Sequence, residues 1–368
     1  MRAGLRIVVA AVLVGLSGSV AVKPGVVMAA SDAAQATSAR DHKWAVVLHG
    51  GAGVIERKTM NPETEAAYRA ALKQSIQAAA DVLEKGGSSA DAVEAAIKLM
   101  EDDPLFNAGK GAVFTADGKN ELDAAMMDGA TMKAGAVAGV TRTKNPISLA
   151  RAVMDKSPQV MLIGAGADQF AARVGLQQVD PSYFFTERRW QSLIRQLKKE
   201  GAPLPQRPAG VPPAPTGGMA DIEPPDAHKY GTVGVVALDK NGNIAAGTST
   251  GGTQAKRWNR VGDSPIIGAG TYASNQSCAV SATGSGEYFI RLTVARTICS
   301  LVQYKGMRLQ AAVDEVVQKE LGAIHGDGGV IAITPDGQLA WRFNTPGMYR
   351  ARVAQGGEVQ VGIYRDER

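Results

Sequence analysis

The chain has 368 residues, 45% of them hydrophobic and 5% aromatic, with a formal net charge of +5. That is ample for a sizeable core, in one large domain or two smaller ones. No run of Lys and Arg is interleaved with aromatics, so a mildly basic, solvated surface is expected and a nucleic-acid-binding face is not.

The first residues have the pattern of a secretory signal. Arg2 and Arg6 open it, residues 7–22 are apolar with small side chains, and Ala29-Ala30 or Ala34-Gln35-Ala36 offers a cleavage site. Gly15, Ser17, Gly18 and Ser19 interrupt the run, which is short for a bilayer span. Export with removal of about residues 1–36 is therefore expected over a membrane anchor, giving a periplasmic or secreted protein. No Cys lies near the cleavage region, which argues against a lipoprotein. Cys278 and Cys299 can form one disulfide in an exported protein or simply be buried.

Lys43 to Leu48 reads as a buried strand running into a glycine turn at His49-Gly50-Gly51-Ala52-Gly53. From Pro62 to Glu84 apolar residues recur at helical spacing, and Gly86-Gly87 ends that helix. Ser88 or Ser89 caps a second helix that runs through Met100. The stretch from Glu101 to Gly111 is polar and turn-rich. Strands are expected at 135–140 and 160–163, and helices at 146–154 and 190–200. The segment from Ala202 to Pro225 holds eight of the seventeen prolines and is expected to be extended and mobile.

After residue 231 the pattern changes to hairpins. Residues 232–238 and 243–250 flank Asp239-Lys240-Asn241-Gly242, and 329–333 and 338–343 flank Thr334-Pro335-Asp336-Gly337. Between them, 286–302 has helical spacing. Strands at both ends with helices between them indicate an α+β domain of layered sheets and helices. The glycine runs lack a G-x-G-x-x-G in a strand–turn–helix setting, which argues against a dinucleotide site.

Thr232 stands where the proline-rich stretch meets an apolar strand. A backbone cut between Gly231 and Thr232 would put a hydroxyl and an α-amine on adjacent carbons, a nucleophile and a base in one residue. An α-amine titrates near ~7.7–8.0, so it can take a proton near neutral pH. Other small polar residues crowd this half: Thr248-Ser249-Thr250-Gly251-Gly252, Arg260-Val261-Gly262-Asp263-Ser264-Pro265 and Thr283-Gly284-Ser285-Gly286-Glu287. Each is compatible with an ordinary turn, surface pair or cap. Together they supply a guanidinium for a carboxylate, a carboxylate for an ammonium, and a hydroxyl with backbone N–H groups for an oxyanion. That is a site for a zwitterionic amino-acid head group beside acyl-transfer chemistry. The four histidines, His42, His49, His228 and His325, lack zinc-ligand spacing, so a catalytic transition metal is not expected.

These segments, with Pro104-Leu105-Phe106-Asn107-Ala108-Gly109, Leu122 to Gly129 and Phe343 to Tyr349, resemble the plant-type L-asparaginases and isoaspartyl peptidases of the N-terminal nucleophile hydrolases. The resemblance covers nearly the whole chain after the signal. It implies a four-layer αββα sandwich and a precursor that cleaves itself between Gly231 and Thr232. An α subunit (37–231, with a mobile linker at 202–230) and a β subunit (232–368) would result. Thr232 would attack a side-chain amide or isopeptide carbonyl, and Thr250 would orient it. The Thr283 hydroxyl and Gly284 N–H would form the oxyanion hole. Arg260 would bind the substrate α-carboxylate, Asp263 with the Gly286 carbonyl the α-ammonium, with Val261, Gly262 and Ser285 lining the site and Asn107 near the nucleophile.

The resemblance also implies no catalytic cofactor and a structural Na⁺ held by backbone carbonyls of Met100, Glu101, Asp103, Phe106, Ala108 and Lys110. It implies L-asparagine and β-aspartyl dipeptides as substrates, and a dimer of αβ units. Trp258-Asn259 departs from the family, where a smaller, glycine-containing pair precedes the arginine. Glycosylasparaginases share the threonine nucleophile and the Arg–Asp clamp but typically carry Asp in place of Ser285 and Glu287, so these two residues favour the isoaspartyl peptidase branch. A binding protein of another class would use Arg260 and Asp263 without turnover.

Overall fold

The computed structural model describes residues 43–213 and 231–367. The signal-like segment and residues 214–230 of the proline-rich stretch lie outside them. In chain order the first block is β1 (Ala45–Gly53), α1 (Pro62–Glu84), α2 (Ser89–Asp102), β2 (Leu122–Asp128), β3 (Ala134–Val140), α3 (Pro146–Lys156), β4 (Met161–Ile163), α4 (Gly164–Arg173) and α5 (Glu187–Glu200). The second block is β5 (Val233–Leu238), β6 (Ile244–Thr250), β7 (Thr271–Ala273), β8 (Ala279–Gly284), α6 (Gly286–Leu292), α7 (Val294–Lys305), α8 (Leu309–Asp314), β9 (Gly328–Ile333), β10 (Leu339–Phe343), β11 (Gly347–Ala354) and β12 (Gln360–Tyr364).

The strands form two sheets, in the orders β12-β11-β1-β5-β6-β2-β3-β4 and β10-β9-β8-β7. Among the strand pairs of the described residues, β3–β4 alone is parallel. Alternation along the central strands divides the interior. Val46 and Leu48 of β1, with Val233, Val235 and Ala237 of β5, pack with α1, α2 and α3 in one apolar cluster. Ala45 and Val47, with Val236 and Leu238, belong to a second cluster that includes the smaller sheet, α7 and α8. Because strand side chains alternate, Thr232, Gly234 and Val236 share the face turned toward the smaller sheet.

Local chemistry explains the helices. Asn61 caps α1 by accepting from Thr64 N at 2.7 Å, with Pro62 in the first turn. Ser88 and Asp91 form a capping box at the start of α2. The helix expected over 286–302 is two helices, because Thr293 takes a left-handed φ of +46° and breaks it. β1 runs through the glycine run that reads as a turn, because β11 continues to pair with Gly51–Gly53 after the β5 pairing ends at His49, and a bulge between His49 and Gly51 takes up the irregularity. Residues 202–213 are irregular but tethered, Arg207 pairing with Glu187 of α5 at 2.5 Å. Cys278 and Cys299 are joined in a disulfide that ties the start of β8 to α7.

Candidate active site

Thr232 is buried at the head of β5, and its Oγ1 donates to Thr250 Oγ1 at 3.1 Å. β6 pairs with β5 and sets this approach, Val233 lying opposite Ser249. Thr250 Oγ1 also accepts from Gly252 N at 3.0 Å, which fixes the turn after β6. The backbone before the threonine is tightly enclosed. A Cβ on Gly51 would stand 2.7 Å from Gly231 Cα, and one on Gly231 would stand 3.0 Å from Asn107 Cβ. Gly51 is at φ +114°, so the bulge and the close approach both call for glycine there.

The same pocket holds the other parts. Thr232, Thr250, Gly252, Arg260, Gly262, Asp263 and Gly284 line one small cavity. Arg260 is mostly buried, and a Cβ on Gly262 or on Gly286 would come within 2.9 Å of its guanidinium. Asp263 is buried with Oδ2 lacking a hydrogen-bond partner. Burial pushes its carboxyl up to about 7, with Arg260 pulling the other way. An orphaned, buried carboxylate oxygen beside a guanidinium is what a zwitterionic ligand would satisfy. Thr283 at the end of β8 accepts from Ala52 N at 3.3 Å, which leaves its O–H free to donate.

Three expected site residues are differently engaged. Asn107 abuts Gly231, but its amide donates to the Gly252 carbonyl at 2.8 Å and accepts from Val113 N at 2.9 Å, so it braces the loop. Ser285 Oγ bonds Asp327, and its N–H donates to the Asp327 carbonyl at 2.9 Å. Val261 is partly exposed beside the cavity.

Sequence reasoning missed His49. It is fully buried, its Nδ1 lies 2.9 Å from the Thr232 carbonyl oxygen, and its Nε2 lies 3.0 Å from Ser281 Oγ. A carbonyl only accepts, so Nδ1 carries the proton and Nε2 accepts from the serine. Burial drives the imidazole down to about 3, so it is neutral. Ser281 continues to Thr248 Oγ1 at 2.7 Å, and Thr271 bridges Thr248 at 2.6 Å and the Ser264 carbonyl at 3.1 Å. This chain links Thr232 to the segment bearing Asp263. The available signal was a histidine on the inward face of a buried strand.

The loop after α2 offers oxygens. A Cβ on Gly109 would stand 2.2 Å from the Glu101 carbonyl oxygen, and one on Gly111 would stand 2.0 Å from that of Phe106. Asp103 and Ala108 carbonyls already accept from Phe106 N at 3.3 Å and Gly111 N at 3.2 Å, and each keeps a second lone pair. Among the described residues no group of three His, Cys, Asp or Glu side chains could hold a metal. A neutral, all-carbonyl donor set fits a hard alkali cation.

Comparison with known proteins gives the family. The family model described as asparaginase matches residues 42–363. The chain is 47% identical to the isoaspartyl peptidase of Escherichia coli (strain K12), over 88% of this chain and 97% of that protein. It is 40% identical to a probable isoaspartyl peptidase/L-asparaginase 2 of Arabidopsis thaliana, over 87% and 99%. It is also 40% identical to a plant-type L-asparaginase of Pyrococcus furiosus, over 87% and 99%. With its family model matched from one end of the described fold to the other, this chain belongs to the asparaginase family.

Proposed function

We propose that this protein is an exported, self-cleaving threonine hydrolase of αββα architecture that releases L-aspartate from β-aspartyl peptides and L-asparagine. The observation that carries the reading is Thr232. It heads a buried strand at the end of the proline-rich segment, within hydrogen-bond reach of Thr250 and in one cavity with Arg260 and Asp263.

Cleavage at Gly231–Thr232 would free the α-amine. Arg260 takes the substrate α-carboxylate, and Asp263 with the Gly286 carbonyl takes the ammonium, which presents the side-chain carbonyl to Thr232. The α-amine accepts the Oγ proton as Oγ attacks, and Thr250 holds the oxygen in line. Thr283 O–H and Gly284 N–H receive the developing oxyanion. Collapse expels ammonia or the peptide amine, protonated by the threonine ammonium. Water activated by the same amine then hydrolyses the aspartyl ester. His49 stays neutral and holds the threonine backbone.

Na⁺ would sit on the carbonyls of Met100, Glu101, Asp103, Phe106, Ala108 and Lys110, where it offsets their partial negative charge and takes no part in the reaction. The buried disulfide supports export, since such bonds persist in oxidising compartments. Two αβ units would form the dimer.

The test is intact mass with N-terminal sequencing, followed by assay on β-aspartyl-leucine, L-asparagine and a GlcNAc-asparagine conjugate. The expected result is two chains, one beginning at Thr232, with activity on the first two substrates and an uncut, inactive Thr232→Ala. Activity on the conjugate alone would instead make this a glycosylasparaginase. A Thr232→Ala variant that behaves as the wild type would leave only ligand binding.

A further inference from the structure

Arg260 is gripped by a second carboxylate for which the reaction above has no use. Glu287 at the start of α6 accepts from Arg260 Nε at 2.8 Å and from Nη2 at 2.9 Å. This side-on fork consumes the Nε–H and one Nη2–H. It leaves the end-on edge, Nη1 with the other Nη2–H, for another carboxylate. That edge lies toward the cavity: a Cβ on Gly262 would stand 2.9 Å from Nη1, and one on Gly252 would stand 3.5 Å from it, and both glycines line the pocket.

The two partners differ in exposure. The Glu287 side chain is 58% exposed and that of Arg260 is 19% exposed. Glu287 therefore reaches the guanidinium from the solvent side. A carboxylate placed there braces the arginine without filling the space a ligand needs. The hydrogen bond from Arg260 holds the Glu287 carboxyl below its ordinary range, against burial, so the brace is ionised at neutral pH.

We propose that Glu287 is a positioning residue for substrate binding, fixing the Arg260 guanidinium so that its end-on edge takes the α-carboxylate of an aspartyl head group. This rests on the reading of Arg260 given above. The head group is held alike in the ground and transition states, so the brace acts on KM and leaves kcat nearly untouched.

The experiment compares Glu287→Ala, Glu287→Gln and Glu287→Asp with the wild type, using the processed enzyme. Intact mass is expected to show normal cleavage in all of them. For Glu287→Ala, KM for L-asparagine and β-aspartyl-leucine should rise about tenfold with kcat within about twofold, and Glu287→Asp should recover part of the loss. Should the alanine variant misfold, the near-isosteric glutamine variant is expected to move KM in the same direction. An unchanged KM overturns the proposal, and a lowered KM overturns it by making Glu287 a competitor for the clamp. The Arg260 Nε–H resonance, slowly exchanging in the wild type and fast in Glu287→Ala, reads the brace without turnover. Wild-type inactivity on both substrates would sink the functional reading, whereas fast exchange in the wild type would sink the brace itself.

Discussion

His49 Nδ1 holds the Thr232 carbonyl at 2.9 Å from the neighbouring strand, and that bond does not depend on the Gly231–Thr232 peptide. A threonine freed by cleavage keeps its α-amine and hydroxyl in register only if something anchors the residue. The strand pairing begins one residue later, at Val233. His49→Leu removes the donor and leaves a buried carbonyl unsatisfied. It is expected to lower kcat by about a hundredfold, the cost of an ångström-scale misplacement. His49→Asn, which can still donate, should lose less. Steady-state kinetics on β-aspartyl-leucine separates the two, and equal losses would deny the anchoring role.

On the proposed reading, Asp263 should make substrate binding pH-dependent. Its carboxyl is pushed up to about 7 by burial, so it is ionised above that pH and neutral below it. An ammonium group binds the ionised form. KM for L-asparagine should therefore rise as the pH falls through about 7, approaching about tenfold per unit. The check is KM measured from about pH 8 to about pH 5.5, with kcat followed separately because an α-amine titrates near ~7.7–8.0 at the top of that range. A flat KM would remove Asp263 as the ammonium partner.

The carbonyl-lined loop after α2 predicts a cation effect on stability. Sodium bound only to the folded state raises the unfolding midpoint by mass action. The uncut Thr232→Ala protein in NaCl should melt higher than in choline chloride at equal ionic strength. Gly109→Ala places a Cβ 2.2 Å from the Glu101 carbonyl oxygen at a residue with φ +50°, and should abolish that difference while lowering the midpoint itself. Equal midpoints in the two salts for the parent protein would argue against the site.

The disulfide between Cys278 and Cys299 closes a segment with a sequence separation of 21. Replacing both cysteines with alanine should cost about 3 kcal/mol, read by urea unfolding of the uncut protein. Thr283 lies five residues along β8 from Cys278, about 17 Å at strand rise, so kcat of the processed variant should change little. A large fall in kcat with stability intact would tie the bond to the oxyanion side of the site.

The long helices were legible because α1 and α2 carry both apolar periodicity and side-chain caps. The two hairpins were legible from their Asn-Gly and Asp-Gly turns. β7, β8, β11 and β12 were not. Ala or Gly interrupts the apolar pattern in each of these runs, and their burial comes from packing in the sheets. The break at Thr293 was invisible, because nothing about a threonine in a helical pattern announces a positive φ. At the site, the polar segments of the second half were readable as a constellation, and the cavity gathers Thr232, Thr250, Arg260 and Asp263. His49 and Glu287 were quoted only as parts of motifs. The contacts that give them roles, to a carbonyl 183 residues away and to a guanidinium 27 residues away, are products of topology.

The order of the larger sheet bears on the fate of a protein cut at Gly231–Thr232. β12 and β11 come from the second piece, β1 from the first, β5 and β6 from the second, and β2, β3 and β4 from the first. The two pieces would be interleaved strand by strand, and neither could depart without tearing the sheet apart. Folding of the intact precursor is a unimolecular event, whereas reassembly from separated pieces is bimolecular and must rebuild every junction at once. Cutting would thus work as a ratchet: a cut enzyme would persist by the height of its unfolding barrier, and once lost would be replaced only by synthesis of new uncut chain.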